Sequence, residues 1–372
     1  MTVVTEKGIL EALAGVVDPD KGADIVGLGM VSGVVIKDGH VAFAIEVEAE
    51  RGPRLEPLRR QAEDVVHRLP GVVTVSAVLT AERPAAPAAA KGHHGHGHGH
   101  KAPEAPLLPE VEVIVAVASG KGGVGKSTTA VNLALALAQM GLKVGLFDAD
   151  IYGPSMPRML GIAGQPVSPD GDHLLPMESH GVKCMSIGFL VPEDAPIIWR
   201  GPMVMGALQQ LMRDVAWGAL DVMVVDMPPG TGDTQLTMCQ TVPLTGAVIV
   251  STPQDIALLD ARKGLNMFRK VDVPVLGIVE NMSYYVCPQC GHEAHVFGHG
   301  GAKAEAERLS ADFLGEIPLD IAIRETSDSG QPIVVSQPDS PHAEAYRAIA
   351  RKVWDKVLAI QGERKGPTIS FE

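Results

Sequence analysis

The sequence predicts an α/β fold, a parallel sheet covered by helices on both faces, preceded by a second and smaller α/β module. Three observations carry this. Residues 111–129, VEVIVAVASGKGGVGKSTT, pass from a β-branched apolar run through a glycine-rich turn into a helix-forming run with almost no polar face. Further short, almost wholly apolar runs recur at Val113–Ala118, Lys143–Phe147, Val222–Val225, Ala247–Ser251 and Val275–Val279, alternating with helical stretches, as expected of buried parallel strands. Ahead of them, RPAAPAAAKGHHGHGHGHKAPEAP cannot build a core and separates the two modules.

The expected organisation is a small module at 1–83, a flexible linker at 84–109, the larger domain at 110–361 and a frayed tail at 362–372. In the small module Ile9, Leu10, Leu13 and Val16 have helical spacing, and Asp18-Pro19-Asp20 is expected to end that helix. Val31–Lys37 and Val41–Val47 flank Asp38-Gly39, a hairpin signal, with Val41, Phe43, Ile45 and Val47 alternating onto one face. Leu55, Leu58, Ala62, Val65, Val66 and Leu69 predict an amphipathic helix, and Val72–Leu79 a closing strand. At the far end His342–Ile360 predicts a helix with Tyr346, Ile349, Val353 and Val357 in register.

Strand, G-x-x-x-x-G-K-S and helix, in that order, is the setting of a phosphate-binding loop. Gly120, Gly122, Gly123 and Gly125 let backbone N–H groups of Gly120–Thr128, Val124 among them, curl around phosphate oxygens. Lys126 places a cation at the β/γ-phosphates, the Ser127 hydroxyl suits Mg²⁺, and the helix opening at Lys126 to Thr128 turns its positive end to the anion. Two later strands end in carboxylates, FDADIYGPS at Asp148 and Asp150 and VVDMPPGTGD at Asp226, where open α/β sheets place ligands. Asp226 fits a carboxylate that holds Mg²⁺ through water, and Gly230 and Gly232 would let the following loop move. The lysine directly after the first glycine, Lys121, resembles the deviant Walker A group of P-loop ATPases, which includes the nitrogenase iron protein and the MinD/ParA relatives. That resemblance implies that Lys121 reaches across a two-fold dimer to the partner's nucleotide and that Asp150 orients or deprotonates the attacking water. It further implies that Asp148 is a nearby Mg²⁺ or water contact, and that Asn281, at another strand end, hydrogen-bonds adenine.

Cys287-Pro-Gln-Cys290 supplies two thiolates, so two further ligands must come from elsewhere. A second copy of the pair would complete a site for a [4Fe–4S] cluster; His292, His295 or His299 would complete a zinc site; a redox dithiol is a third reading. Spacing alone leans towards zinc. The ordered strings SGKGGVGKST, DADIYGPSMPRMLG, WRGPM, DMPPGTGDTQLT, ENMSYYVCPQCGH and FGHGG resemble the Mrp/ApbC/Nbp family of iron–sulfur carrier ATPases across nearly all of residues 111–360. The resemblance implies an ATP-hydrolysing homodimer in which Cys287 and Cys290 of both chains hold a labile [4Fe–4S] cluster for delivery to apoproteins. VVDPDKGADIVGLGMVSGV resembles the small domain of iron–sulfur assembly factors, although EAERGPRLEP lacks the cysteine such domains often carry there. Cys184 and Cys239, in apolar surroundings, read as buried small hydrophobes.

The 372 residues carry a net charge of −13, which speaks against a general nucleic-acid or anionic-membrane surface. No apolar run reaches the length of a membrane span, the N-terminus lacks a secretory pattern, and four cysteines do not make a disulfide framework, so a reducing cytoplasm is expected. Two rival functions remain. A MinD/ParA-like regulatory ATPase predicts a membrane helix or a basic surface. A nickel or zinc chaperone would use the run His93, His94, His96, His98 and His100, which otherwise reads as a soluble spacer.

Overall fold

The computed structural model describes residues 4–82 and 107–364, with short breaks at 38, 49–50, 52–53, 73, 170, 172, 192–198 and 200. The expected linker with its histidine run, apart from its last residues, and the final residues 365–372 lie outside the described residues. Two compact units are present: Met1–Pro109 with Val191–Arg213, and Glu110–Leu190 with Asp214–Glu372. The sequence expectation had placed 191–213 with the larger domain.

In the first unit, α1 (Glu6–Leu13) starts where the Thr5 hydroxyl accepts the Gly8 N–H, and it stops five residues before Asp18. The expected extension to Asp18-Pro19-Asp20 fails because Val16 and Val17 take part in a different pairing. The Ile25 N–H donates to the Val16 carbonyl at 2.9 Å, and Val17 bridges Asp24. Val16 nevertheless remains buried. β1 (Val31–Lys37) and β2 (His40–Glu48) form the antiparallel hairpin, with Gly39 at φ +87° in its turn. α2 (Glu56–His67) then leads to β3 (Thr74–Glu82), which pairs parallel to β2. Val41, Phe43, Ile45 and Val47 all face the core built with Ile9, Leu13, Leu55, Leu58, Ala62 and Val66. Arg51 ties the stretch after β2 to the early loop, its Nη2 donating to Asp18 at 2.6 Å and to Asp20 at 2.7 Å. The sheet also meets the segment 199–213: a Cβ on Gly33 would lie 3.5 Å from Met203 Cε and from Trp199 Nε1.

The second unit is built on a sheet of eight strands among the described residues, ordered β13-β10-β9-β4-β8-β5-β7-β6. The chain runs β4 (Ile114–Ala118), α3 (Lys126–Gln139), β5 (Val144–Asp148), α4 (Met156–Met159), β6 (Met177–Ser179) and β7 (Val182–Ser186). After α5 (Gly201–Asp214), which but for Asp214 falls in the first unit, come β8 (Val222–Asp226), α6 (Asp233–Thr241), β9 (Gly246–Ser251), α7 (Asp255–Lys270) and β10 (Val275–Asn281). β11 (Tyr285–Val286), β12 (Glu293–Ala294), α8 (Gly301–Arg308), β13 (Phe313–Ile317), α9 (Ile321–Asp328), α10 (Ile333–Ser336) and α11 (Pro341–Arg364) complete it. All neighbours in the large sheet are parallel except the edge pair β6–β7. β4 lies between β8 and β9: the crossover from β4 runs to one side, towards β5, and that from β8 runs to the other, to β9, a reversal of the kind that opens a crevice at the strands' carboxyl ends.

α3 lacks a polar face because it is enclosed: Ala130 through Leu137 are all buried. One covering element is α11, whose Tyr346, Ile349, Val353 and Val357 are buried as the register required. α11 continues to Arg364, past the point where a frayed tail was expected. Leu133, fully buried on α3, offers a test of this packing. Leu133→Ala should lower unfolding stability by about 2–5 kcal/mol, read from denaturant titration followed by circular dichroism.

Candidate functional site

β4 delivers the chain into the loop Ser119–Gly125, and α3 begins at Lys126 with Gly125 as its N-cap in the left-handed region, φ +79°. Gly123 has the same φ. Gly125 is doubly constrained, because a Cβ there would fall 2.1 Å from Asn281 Nδ2. Gly120 presses on α7, where a Cβ would meet the Asp260 backbone at 2.1 Å, whereas Gly122 faces open space. Val124 is buried beneath the loop, the Ser119 hydroxyl donates to the Lys121 carbonyl at 2.8 Å, and the Thr128 carbonyl accepts from Asn132 at 2.9 Å. Lys121 itself is half-buried on the loop.

Lys126 is nearly sealed from solvent, and its ammonium donates to Asp226 Oδ1 at 2.6 Å and to the Ser127 hydroxyl at 3.3 Å. Asp226 closes β8 fully buried; burial pushes its carboxyl up while Lys126 and Ser127 pull it back. Its second oxygen, Oδ2, is buried with no hydrogen-bond partner. A buried carboxylate oxygen without a donor, beside a serine hydroxyl at the mouth of a phosphate loop, suits a hard divalent cation such as Mg²⁺.

Asp148 was expected as a Mg²⁺ or water contact. Its oxygens are instead occupied by protein donors: Oδ1 accepts the Asp150 N–H at 3.1 Å, and Oδ2 accepts the Ser155 N–H at 3.1 Å, the Met156 N–H at 3.4 Å and the Ser186 hydroxyl at 2.8 Å. Burial, and then the neighbouring Asp226 charge, push the Asp148 carboxyl up to about 7. Asp150 is half-buried, accepts the Gly153 N–H at 3.2 Å, and is near enough to raise the Asp226 carboxyl. Ser186, on β7, is a member of this cluster that the sequence did not single out.

Asn281 ends β10 and donates its amide to the Val124 carbonyl at 2.8 Å, so it braces the phosphate loop directly. Beyond it the chain leaves the sheet for the two-stranded hairpin of β11 and β12 that carries the cysteines. The Cys287 N–H donates to the His292 carbonyl at 2.9 Å, the Gly291 N–H returns to the Cys287 carbonyl at 2.8 Å, and Gly291 sits at φ +70°. The backbone N–H groups of Gln289 and Cys290, and then the Cys290 thiol, hold the Cys287 thiol below its ordinary range. Cys290 is exposed and Cys287 half-buried. The rings of His295 and His299 meet at a tilt of 46°, centroids 4.0 Å apart. Among the described residues no group of three Cys, His, Asp or Glu side chains is assembled to hold a metal ion. Cys184 and Cys239 are buried, their thiols pushed up by burial, Cys239 to about 12.

The parallel sheet, the glycine loop capping α3 and the lysine and carboxylates converging at its mouth define a P-loop NTPase. Residues 110–354 match the family described as NUBPL iron-transfer P-loop NTPase, and residues 6–77 match the iron–sulfur cluster assembly protein family. The chain belongs to the NUBPL-type iron-transfer P-loop NTPases. It is 46% identical over 360 residues to the iron–sulfur cluster carrier protein of Synechocystis, covering 95% of this chain and 98% of that one. It is 56% identical over 247 residues to the iron–sulfur cluster carrier protein of Escherichia coli K12, covering 66% of this chain and 67% of that one. Among solved structures, the ADP-bound nucleotide-binding protein of Archaeoglobus fulgidus aligns with a TM-score of 0.57 at 39% identity, over 64% of this chain and 94% of that one. Among the described residues no helix is long and apolar enough to cross a membrane.

Two outcomes follow from the geometry. Gly125→Ala, forced into a left-handed conformation against Asn281, should lose about 1–3 kcal/mol of stability. Gly122→Ala, with open space around it, should stay within about 0.5 kcal/mol; thermal melts of the two variants check the contrast. Secondly, the native fold keeps a proton on Asp148 that the unfolded chain has already released, so this group's contribution to stability falls as pH rises from about 4 towards about 7. Carbon-13 NMR should show the Asp148 carboxyl titrating near 7 in the native protein, and lower in Asp226→Asn, which removes the opposing negative charge.

Proposed function

We propose that this chain binds and hydrolyses ATP and carries a [4Fe–4S] cluster, held between two copies of itself, to apoproteins that need one. The observation that carries the reading is the cysteine hairpin: two adjacent thiols, one exposed and one with a lowered affinity for its proton, with no third ligand assembled around them among the described residues. Two thiolates leave a cluster half-ligated, and a second identical hairpin across a two-fold axis supplies the other two. The relatives named as iron–sulfur cluster carrier proteins support the same reading. Because iron is bound through thiolates, release to a client is an exchange of one thiolate for another and changes neither the electron count nor the atoms of the cluster. A reducing cytoplasm, where such thiols stay free, is the fitting compartment.

In this reading Lys126 exchanges its bond to Asp226 for the β- and γ-phosphates, and the glycine loop supplies its N–H groups to the same oxygens. Lys121 reaches the nucleotide of the partner copy, and Asp150 orients the attacking water. Ser127 and Asp226 would hold Mg²⁺, which when bound neutralises charge on the phosphates. Asp148 acts one step back, fixing the turn that presents Asp150. Asn281 lies against the loop where it meets the base.

The experiment is anaerobic reconstitution with iron and sulfide. The native chain should gain about four irons per two chains and the broad visible absorption of a cluster. The double variant Cys287→Ala/Cys290→Ala should gain neither, while still binding ADP. A double variant that takes up the same iron as the native chain overturns the proposal, and so does a native chain that retains one zinc per monomer and refuses iron.

A further inference from the structure

Glu280 has no place in the roles assigned so far, yet it is fully buried. It is the next-to-last residue of β10, and its carboxylate accepts the Ser283 hydroxyl at 2.5 Å and the Ala302 N–H at 2.6 Å. Those partners are the two roots of the excursion that carries Cys287 and Cys290. The chain leaves the sheet at Ser283 and returns to the fold at the start of α8, where Ala302 lies. The very next residue, Asn281, grips the phosphate loop through the Val124 carbonyl. Neighbouring residues of a strand point to opposite faces. The end of β10 therefore holds the phosphate loop on one face and both roots of the cysteine excursion on the other.

The surroundings are stiff. Gly301, at the start of α8, has no room for a Cβ, which would lie 2.7 Å from the Pro253 carbonyl oxygen and 2.8 Å from Leu258 Cδ1. Arg262 of α7 donates to Glu305 of α8 at 2.7 Å, and the same helix α7 presses on Gly120 of the phosphate loop through the Asp260 backbone. Close-packed contacts of this kind transmit a shift rather than absorb it.

We propose that Glu280 is the positioning residue that couples occupancy of the phosphate loop to the geometry of Cys287 and Cys290. Phosphate oxygens entering the loop reorient its backbone around Val124; Asn281 follows, and the displaced strand end carries Glu280 and the two roots with it. The identity of the cargo rests on the carrier reading above; the motion does not.

The test uses the full chain, reduced and free of iron, and follows the rate at which a water-soluble maleimide labels Cys287 and Cys290. Cys184 and Cys239 are buried and stay silent. Saturating Mg²⁺ with ADP or a non-hydrolysable ATP analogue should change the native rate about fivefold or more. In Glu280→Ala the rates with and without nucleotide should converge while ADP affinity is retained. Glu280→Gln should preserve the difference, since its amide oxygen accepts from Ala302 while its NH₂ donates to the Ser283 hydroxyl. Ser283→Ala removes one tie with little change in volume and should diminish the difference, which keeps the test available if Glu280→Ala does not fold. A nucleotide effect undiminished in Glu280→Ala or in Ser283→Ala overturns the proposal, as does its absence from the native chain. Iron uptake measured on the same samples judges the carrier reading separately, because the labelling reports thiols that hold no cargo.

Discussion

The P-loop unit depends on the ion pair between Lys126 and Asp226. Both groups are almost wholly withdrawn from water, a circumstance that destabilises a lone charge by several kcal/mol, roughly, unless a partner compensates. Each supplies the other's compensation, and the arrangement is incomplete: Asp226 Oδ2 has no donor, and Asp148 lies close enough to have its proton affinity raised by Asp226. Three charged or chargeable groups are thus packed at one end of the sheet, in an environment that an anion with a divalent cation would satisfy better than the protein does alone. Phosphate can take the lysine and a cation can take the open carboxylate oxygen. The fold holds these charges compensated but not saturated, with the Asp226 Oδ2 left without a donor.

Much of this was legible in the sequence because the relevant constraints are local. The loop glycines, Lys126, and the aspartates at strand ends follow from period, turn chemistry and charge, and β1, β2, α2 and β3 appear where alternation and helical spacing put them. What the sequence did not disclose depends on distant contacts. β7 was not singled out in the sequence: it carries Lys183 among its apolar residues, and that ammonium finds the Trp217 carbonyl at 2.7 Å, a partner far along the chain. β13 is half-buried at the sheet edge and lacks the continuous apolar run of its neighbours. Asp148 reads like a ligand in a D-x-D pair, and only the tertiary structure shows Ser155, Met156 and Ser186 occupying it. Glu280 was likewise read as one residue of a motif, since its partners Ser283 and Ala302 are brought together only by the return of α8.

The cysteine hairpin and the phosphate loop belong to one unit, the hairpin following β10 and the loop following β4, held by Asn281 at the end of β10. A short hairpin with hydrogen bonds at Cys287 and Gly291 carries the two sulfurs, and the N–H groups of Gln289 and Cys290 favour the Cys287 thiolate. The carboxylate of Glu280 then fixes where the excursion starts and ends. The cysteine pair thus sits on a short hairpin, and the phosphate loop at the start of a buried helix.

The most direct test is anaerobic native mass spectrometry of the reconstituted full-length chain. The account predicts a species of twice the chain mass carrying one additional Fe₄S₄ unit, lost together with the dimeric mass when a chelator strips the iron. A monomer carrying a single zinc, or iron bound at one chain's cysteines with no second chain present, would contradict it.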